Sequence, residues 1–246
     1  GVCNFLAAYE GNVFVADFYE GFLRRLSPGF AGVCNLATSV SGQPNATVRE
    51  TVIQEFSADG RLVFQWRSWD HYDIRDLELE YLQGNYIRFP HLNAIDVDDD
   101  GHILVSARHL SEVTKIHRET GEVIWRLGAA HNQFEWINDP LNGFRSQHDI
   151  RALGNNRYTL FDNGNLHSPP ETRAVEYEID PVNKTATLVW QYRHSPARYT
   201  PWMGNAQRLP NGNTLITEAA FGRIFEISEY QELIWEYVSP YFNASM

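Results

Sequence analysis

The chain is short of cysteine, of basic clusters and of long apolar runs, and each shortage removes a class of function. Only two cysteines, Cys3 and Cys34, occur in 246 residues, and no Cys-x-x-Cys pair is present to hold zinc. An isolated pair bracketing one segment is compatible with a disulfide in an oxidising compartment, and equally with two free buried thiols. The 20 Lys+Arg form no run and the formal net charge is −11. Phosphate backbones and anionic lipids want a basic stripe, so no nucleic-acid partner is expected. No apolar segment approaches the roughly 20 residues of a membrane span, so no span is expected either. The first residues lack the charged-then-apolar layout of a signal peptide; either the chain is mature or its start is missing. A secreted or periplasmic location is the expectation, resting on the cysteine pair and on three N-glycosylation patterns at Asn45, Asn183 and Asn243. No Gly-x-x-x-x-Gly-Lys-Ser/Thr loop cradles nucleotide phosphates and no Gly-x-Ser-x-Gly elbow presents a serine. Nucleotide-donor chemistry is therefore not expected, and no cofactor is called for.

What is present is apolar material in short alternating strands. With 43% hydrophobic and 13% aromatic residues the chain can bury a sizeable core, and a single domain over 1–246 is expected. The stretch 90–108 organises it. Alternation from Ala94 to Val97, an Asp-rich turn closing on Gly101 and a second apolar run ending at Arg108 predict an antiparallel hairpin. His91, Asn93 and Arg108 then share the open end, because antiparallel pairing sets the first strand's start beside the second strand's finish.

The unit recurs. With Gly101, Asn156 and Gly212 in register, Ile103-Leu104-Val105 aligns with Tyr158-Thr159-Leu160 and Thr214-Leu215-Ile216. Eight residues before each anchor stand Asn93, His148 and Gly204; seven after stand Arg108, Asn163 and Ala219. A second hairpin completes each unit: Val52–Phe56 with Arg61–Trp66, Val113–His117 with Glu122–Leu127, Ala174–Ile179 with Ala186–Trp190, and Ile224–Ile227 with Glu232–Glu236. Phe64, Trp125, Trp190 and Trp235 fall in comparable positions. Four strands per unit, repeated, is the pattern of β-propeller blades, whereas a generic sandwich needs no recurrence. An all-β propeller is predicted, with blades near 7–68 (irregular, interrupted by 27–44), 93–129, 149–194 and 205–240. The links 70–90 and 129–147 are long enough to be functional. Two readings fit Asp73–Leu82 equally well, a short helix capped by Asp73 or a solvated charged face.

Innermost propeller strands line a channel, so equivalent slots converge on the axis. That brings His91, Asn93 and His148 together, with Arg108 and Asn163 on the neighbouring strands as a surrounding rim. A neutral imidazole is a good nucleophile and leaving group for phosphoryl-like transfer, while Arg, a second His and amide donors stabilise a tetrahedral oxyanion group. A metal fits less well: His91, His148 and Asp149 offer ligands, but Arg108 opposes a divalent cation. The blade tryptophans could suggest a quinone-cofactor dehydrogenase, but packing between sheets explains them more simply.

Pro44-Asn45-Ala46-Thr47, Phe64-Gln65-Trp66-Arg67-Ser68-Trp69-Asp70-His71, His91-Leu92-Asn93-Ala94-Ile95-Asp96, Ser106-Ala107-Arg108, Thr120-Gly121-Glu122-Val123-Ile124-Trp125, Gln147-His148-Asp149, Phe161-Asp162-Asn163-Gly164, Arg173-Ala174-Val175-Glu176-Tyr177 and Gly204-Asn205-Ala206-Gln207-Arg208-Leu209-Pro210-Asn211-Gly212-Asn213 occur in this order. Over about 43–240 this set resembles the arylsulfotransferase (arylsulfate sulfotransferase) family. The resemblance implies a six-bladed propeller, of which this chain holds about four blades. It further implies sulfuryl transfer from a phenolic sulfate ester to a phenol, without a nucleotide donor, through a sulfohistidine. By that resemblance His148 is the nucleophile, and His91, Asn93 and Arg108 hold sulfuryl oxygens, with Arg173 and Asn205 as further substrate-binding candidates. The alternative is a non-catalytic secreted propeller that binds a small ligand or a protein at the channel mouth.

Overall fold

A computed structural model describes residues 46–241 throughout and, of the first 45 residues, the backbone of three strands at Cys3–Tyr9, Asn12–Asp17 and Leu23–Arg25. The choice between a Cys3–Cys34 bridge and two free thiols, and the acceptor patterns at Asn45 and Asn243, lie outside the described residues. Asn183 is exposed in a turn, where its amide donates to Asp180 (2.7 Å).

Strands account for 47% of residues and helix for 9%, so the fold class is all-β. The first sheet pairs β1 (Cys3–Tyr9), β2 (Asn12–Asp17), β5 (Val52–Phe56) and β6 (Leu62–Arg67) in that order. A small sheet joins β3 (Leu23–Arg25) to β4 (Thr47–Glu50), and β4 in parallel to β7 (Tyr86–Phe89). The second large sheet runs β8 (Leu92–Val97), β9 (Ile103–Ala107), β10 (Glu112–Ile116) and β11 (Val123–Leu127). The third runs β13 (His148–Gly154), β14 (Arg157–Asp162), β15 (Arg173–Asp180) and β16 (Thr185–Arg193). β12 (Glu135–Ile137) adds to β16 in parallel, a fifth strand that the sequence pattern did not suggest. The fourth runs β17 (Asn205–Arg208), β18 (Thr214–Glu218), β19 (Arg223–Ile227) and β20 (Leu233–Val238). Each of the four expected second hairpins forms within a residue or two of its predicted bounds at β5–β6, β10–β11 and β19–β20, and extends further in β15–β16.

The register anchors behave as the repeat requires. Gly101, Asn156 and Gly212 all adopt positive φ, at 78°, 57° and 87°; Gly and Asn are the residues that tolerate that region in hairpin turns. The Asp-rich turn then serves as a connector: Asp96 accepts from the Ala152 backbone N–H (2.9 Å) and Asp99 from that of Asn155 (2.8 Å), tying β8 and its turn to the third sheet.

Sheets stack face to face because the middle strands are apolar on both sides. Ile103, Val105 and Ala107 of β9 join Ile53, Trp66 and Ile95 in one core. Leu104, pointing the other way, joins Trp125, Ile150, Leu160 and Tyr177 in a second. Phe161 and Ala174 meet Ala206, Ile216 and Phe225 in a third, between the last two sheets. The four sheets are thus side by side, with β8 beside β1 and β13, and β13 beside β17. The starts of β8, β13 and β17 fall together, which positions the site.

Of the two readings of Asp73–Leu82, the link 70–90 adopts neither a continuous α-helix nor a wholly solvated face. It makes two short 3-10 turns, Ile74–Asp76 and Leu79–Tyr81, and Asp73 caps the first by accepting from the Arg75 N–H (2.9 Å). Ile74, Leu77 and Leu82 are drawn into the first core, and that tertiary pull breaks the periodicity an α-helix would need. Among the described residues no helix is long and apolar enough to cross a membrane.

Candidate functional site

The Gln147-His148-Asp149 triplet explains how the site is built. Gln147 is fully buried and its amide donates to Ser106 Oγ (3.0 Å) and to the Glu112 carbonyl (2.9 Å), fastening the chain to the second sheet. Asp149 faces the other way. It accepts from the Ala206 N–H (3.1 Å) and the Asn205 amide on the fourth sheet, and from Arg151 Nε (2.8 Å). Its φ of +60° is a strained conformation for a residue with a side chain. His148 stands between these two clamps.

His148 Nδ1 lies 2.7 Å from Asn163 Oδ1, and its Nε2 has no hydrogen-bond partner among the described residues. Asn163 is fully buried at the end of β14, and its amide nitrogen donates to the carbonyls of Thr200 (2.7 Å) and Met203 (2.8 Å). The turn that follows needs Gly164: at φ +69° a Cβ there would sit 1.8 Å from the Glu171 carbonyl oxygen.

Three of the other expected residues gather here. Asn93 is buried and donates to the Gln147 carbonyl (2.6 Å), one residue from His148. His91, also at φ +60°, accepts through its carbonyl from the Arg108 N–H (3.1 Å). Its ring stacks on His109 at 4.6 Å between centroids and 12° between planes, and His109 stacks in turn on Tyr81 at 3.8 Å. Arg108 is 9% exposed, lies over the Tyr81 ring and donates to the Pro201 carbonyl (2.9 Å). Among the described residues it has no carboxylate partner.

Burial and neighbouring cations make every imidazole here a neutral one. Burial lowers His148 to about 4, with the Arg108 charge acting in the same direction and the bond to Asn163 opposing it. Burial, then His109, Arg108 and His148, lowers His91 to about 2, and burial lowers His109 to about 3. That mutual influence places His91, His109, Arg108 and His148 in one electrostatic neighbourhood. The Arg108 charge stands beside three uncharged rings, and the Arg88 charge on β7 also acts on His91 and His109. Among the described residues no group of three His, Cys, Asp or Glu is arranged to hold a metal ion.

Two expected residues stand elsewhere. Arg173 is 1% exposed and its guanidinium is consumed by Asp162 (2.9 Å), Asp139 (2.8 and 3.0 Å), the Gly143 carbonyl (2.7 Å) and Gln191 (3.3 Å). A guanidinium with every donor committed in the core has none left for a ligand. It braces Asp162, the neighbour of Asn163. Asn205 acts on Asp149 rather than into the site. His109 and Tyr81 were not anticipated. His109 follows Arg108 directly in a 3-10 turn, so the Arg-His pair at the strand's end was the available signal; Tyr81 lies in the long link 70–90 and carried none.

A stack of sheets, each built on four antiparallel strands and the third extended by β12, with inner strand ends converging on histidines and an arginine, is β-propeller-like, and so are its structural neighbours. The arylsulfotransferase (ASST) family profile matches residues 33–240, and the chain belongs to that family. Comparison with curated proteins returns no match. Among solved structures, a catalytically inactive virginiamycin B lyase from Staphylococcus aureus, crystallised with quinupristin, is 11% identical with a TM-score of 0.51 over 99% of this chain. A protein of unknown function from Bacteroides caccae is 13% identical with a TM-score of 0.50, covering 96% of this chain and 81% of that one. At these identities the likeness speaks to the fold alone. The chain spans 57% of that lyase and 56% of a second structure of the S. aureus lyase, little more than half their length.

Proposed function

We propose that this chain moves a sulfuryl group from an aryl sulfate ester to a phenolic acceptor by way of a sulfohistidine on His148, its four sheets serving as blades of a propeller. The observation that carries this reading is Arg108: an almost buried guanidinium that meets no carboxylate among the described residues, set among three neutral imidazoles. A buried cation is costly unless something pairs it. The sulfate ester supplies that charge. Its oxygens meet Arg108, while the ring face of the Tyr81–His109–His91 stack offers apolar surface for the aryl group.

His148 meets the remaining requirement, a nucleophile that is uncharged at neutral pH and whose imidazolium form is acidic enough for the ring to leave again. In the first half-reaction the Nε2 lone pair attacks sulfur and the S–O(aryl) bond breaks, its electron pair leaving on the phenolate. In the second, a phenolate oxygen attacks the same sulfur and the N–S bond breaks, its electron pair returning to the ring. The acceptor proton goes to solvent. Arg108 stabilises the equatorial oxygens, whose charge persists through both transfers.

Incubation with a chromogenic aryl sulfate and excess phenol tests the reading: phenolate release that rises with acceptor concentration, together with a newly sulfated phenol, is expected. Binding of aryl sulfates without any turnover would replace it with the binding-propeller alternative.

A further inference from the structure

One hydrogen bond in the site determines more than position. Asn163 presents its Oδ1 to His148 Nδ1 at 2.7 Å, and its nitrogen faces two backbone carbonyls, Thr200 at 2.7 Å and Met203 at 2.8 Å. A carbonyl only accepts, so these two contacts settle which end of the amide is nitrogen. The opposite orientation would press Oδ1 against two other oxygens. With Oδ1 toward the ring, the His148 atom it meets has to donate.

The carbonyls are themselves held. Thr172 Oγ1 donates to the Asn163 carbonyl (2.9 Å) and accepts from the Thr200 N–H (2.7 Å), bolting the 199–203 segment to the end of β14. The neighbouring carbonyl of Pro201 takes the Arg108 guanidinium. One short segment therefore orients both the amide beside His148 and the charge opposite it.

We propose that Asn163 is a positioning residue that holds His148 as the Nδ1–H tautomer, so that sulfuryl transfer takes place at Nε2. The inference rests on the reading of His148 as the group that accepts the sulfuryl moiety. The chemistry asks for this control twice. Before attack, only the unprotonated ring nitrogen carries a lone pair in the ring plane, so the proton on Nδ1 leaves Nε2 free. After attack, Nε2 bears the sulfuryl group while Nδ1 keeps its proton, and the ring becomes cationic. The amide oxygen stabilises that cation through the bond it already makes. Being neutral, it does so less than a carboxylate would, and the ring stays a good leaving group for the return step. The only nearby carboxylate on the same strand, Asp149, is spent on Arg151, Ala206 and Asn205.

The test reads the tautomer directly. In protein labelled with nitrogen-15 at its nine histidines, the His148 signals are assigned as those missing from His148→Asn, and no donor is added. In the wild type the Nδ1 resonance is expected at the protonated position and Nε2 at the unprotonated one. A proton on Nε2, or a mixture of the two forms, overturns the proposal, and does so without reference to activity. In Asn163→Ala the preference for Nδ1–H is expected to disappear, and kcat for the donor half-reaction to fall on the order of 10²-fold with KM for the donor little changed. An unaltered tautomer in that variant also overturns it. Asn163→Asp keeps the acceptor: the Nδ1–H form is expected to persist, while the added charge moves the acid limb of the pH profile to higher pH. An unmoved limb there, in a folded protein, counts against Asn163 as the partner of the ring. Loss of all turnover with the wild-type tautomer as described would instead sink the proposed reaction and leave the positioning role standing.

Discussion

The Arg108 guanidinium lies over the Tyr81 ring, 5.1 Å from its centre, and meets no carboxylate among the described residues. A cation–π contact contributes about 0.5–2 kcal/mol, which holds the side chain in place without neutralising it. Arg108→Ala should therefore cost activity far more than stability. Removing charge stabilisation of the transferring group is expected to slow turnover by about 10²–10³-fold, with a small residue of activity. Inorganic sulfate should compete with the donor in the wild type and lose most of its effect in the variant, as inhibition kinetics will show. Equal inhibition in both would place the anion elsewhere.

Arg173 should behave in the opposite manner. Its side chain and those of Asp139 and Asp162 are fully inaccessible, so Arg173→Met leaves two buried carboxylates without their cation. Breaking a buried pair in this way costs about 3–5 kcal/mol. Chemical denaturation should register that loss, whereas any kinetic effect on the folded fraction should be modest. A variant as stable as the wild type would mean that the network contributes little.

Much of this arrangement was legible in the residues alone. The hairpin register worked because turn chemistry is local: Gly101, Asn156 and Gly212 need positive φ, and strands of fixed period follow from each. It correctly set Asn163 on the strand beside His148. Arg173 does not face a ligand: a motif does not say which face of a β-strand looks inward, and the partner that absorbs it, Asp139, lies two residues past β12, a strand of the link 129–147 that no repeat pattern marks. Tyr81 and His109 were missed for a related reason. Their stack depends on how the link 70–90 folds over the second sheet, and that path is set by burial of Ile74, Leu77 and Leu82 rather than by periodicity.

Acid should destabilise the protein before it disables the chemistry. His91, His109 and His148 have folded-state values of about 2, 3 and 4, below the 6.5 of an exposed ring. Above about pH 6.5 these rings are neutral in both the folded and unfolded states, and they contribute no pH dependence. As pH falls below that value the unfolded chain takes up protons that the folded chain refuses, and stability declines through pH 5 toward the folded-state values. The midpoint in urea should fall over that window, and the dependence should be shallower in His91→Gln, which removes one such ring. A midpoint independent of pH between 7 and 5 would contradict the burial described for these rings.

The covalent intermediate separates transfer from mere binding. Because the His148 ring titrates near 4, it is unprotonated at pH 5 to 8, and uptake of a sulfuryl group from donor alone should proceed across that range at a nearly constant rate before failing as pH nears 4. Intact-mass analysis of protein quenched after exposure to an aryl sulfate should register one added sulfuryl group per chain, and addition of phenol should remove it. His148→Asn offers no comparable lone pair, so it should neither take up the group nor support either half-reaction, while Arg108→Ala should take it up slowly. If His148→Asn acquires the same mass as the wild type, the nucleophile is a different residue. If neither protein acquires it although aryl sulfate still binds, Arg108 and the stacked rings form an anion-binding site and no transfer occurs at His148.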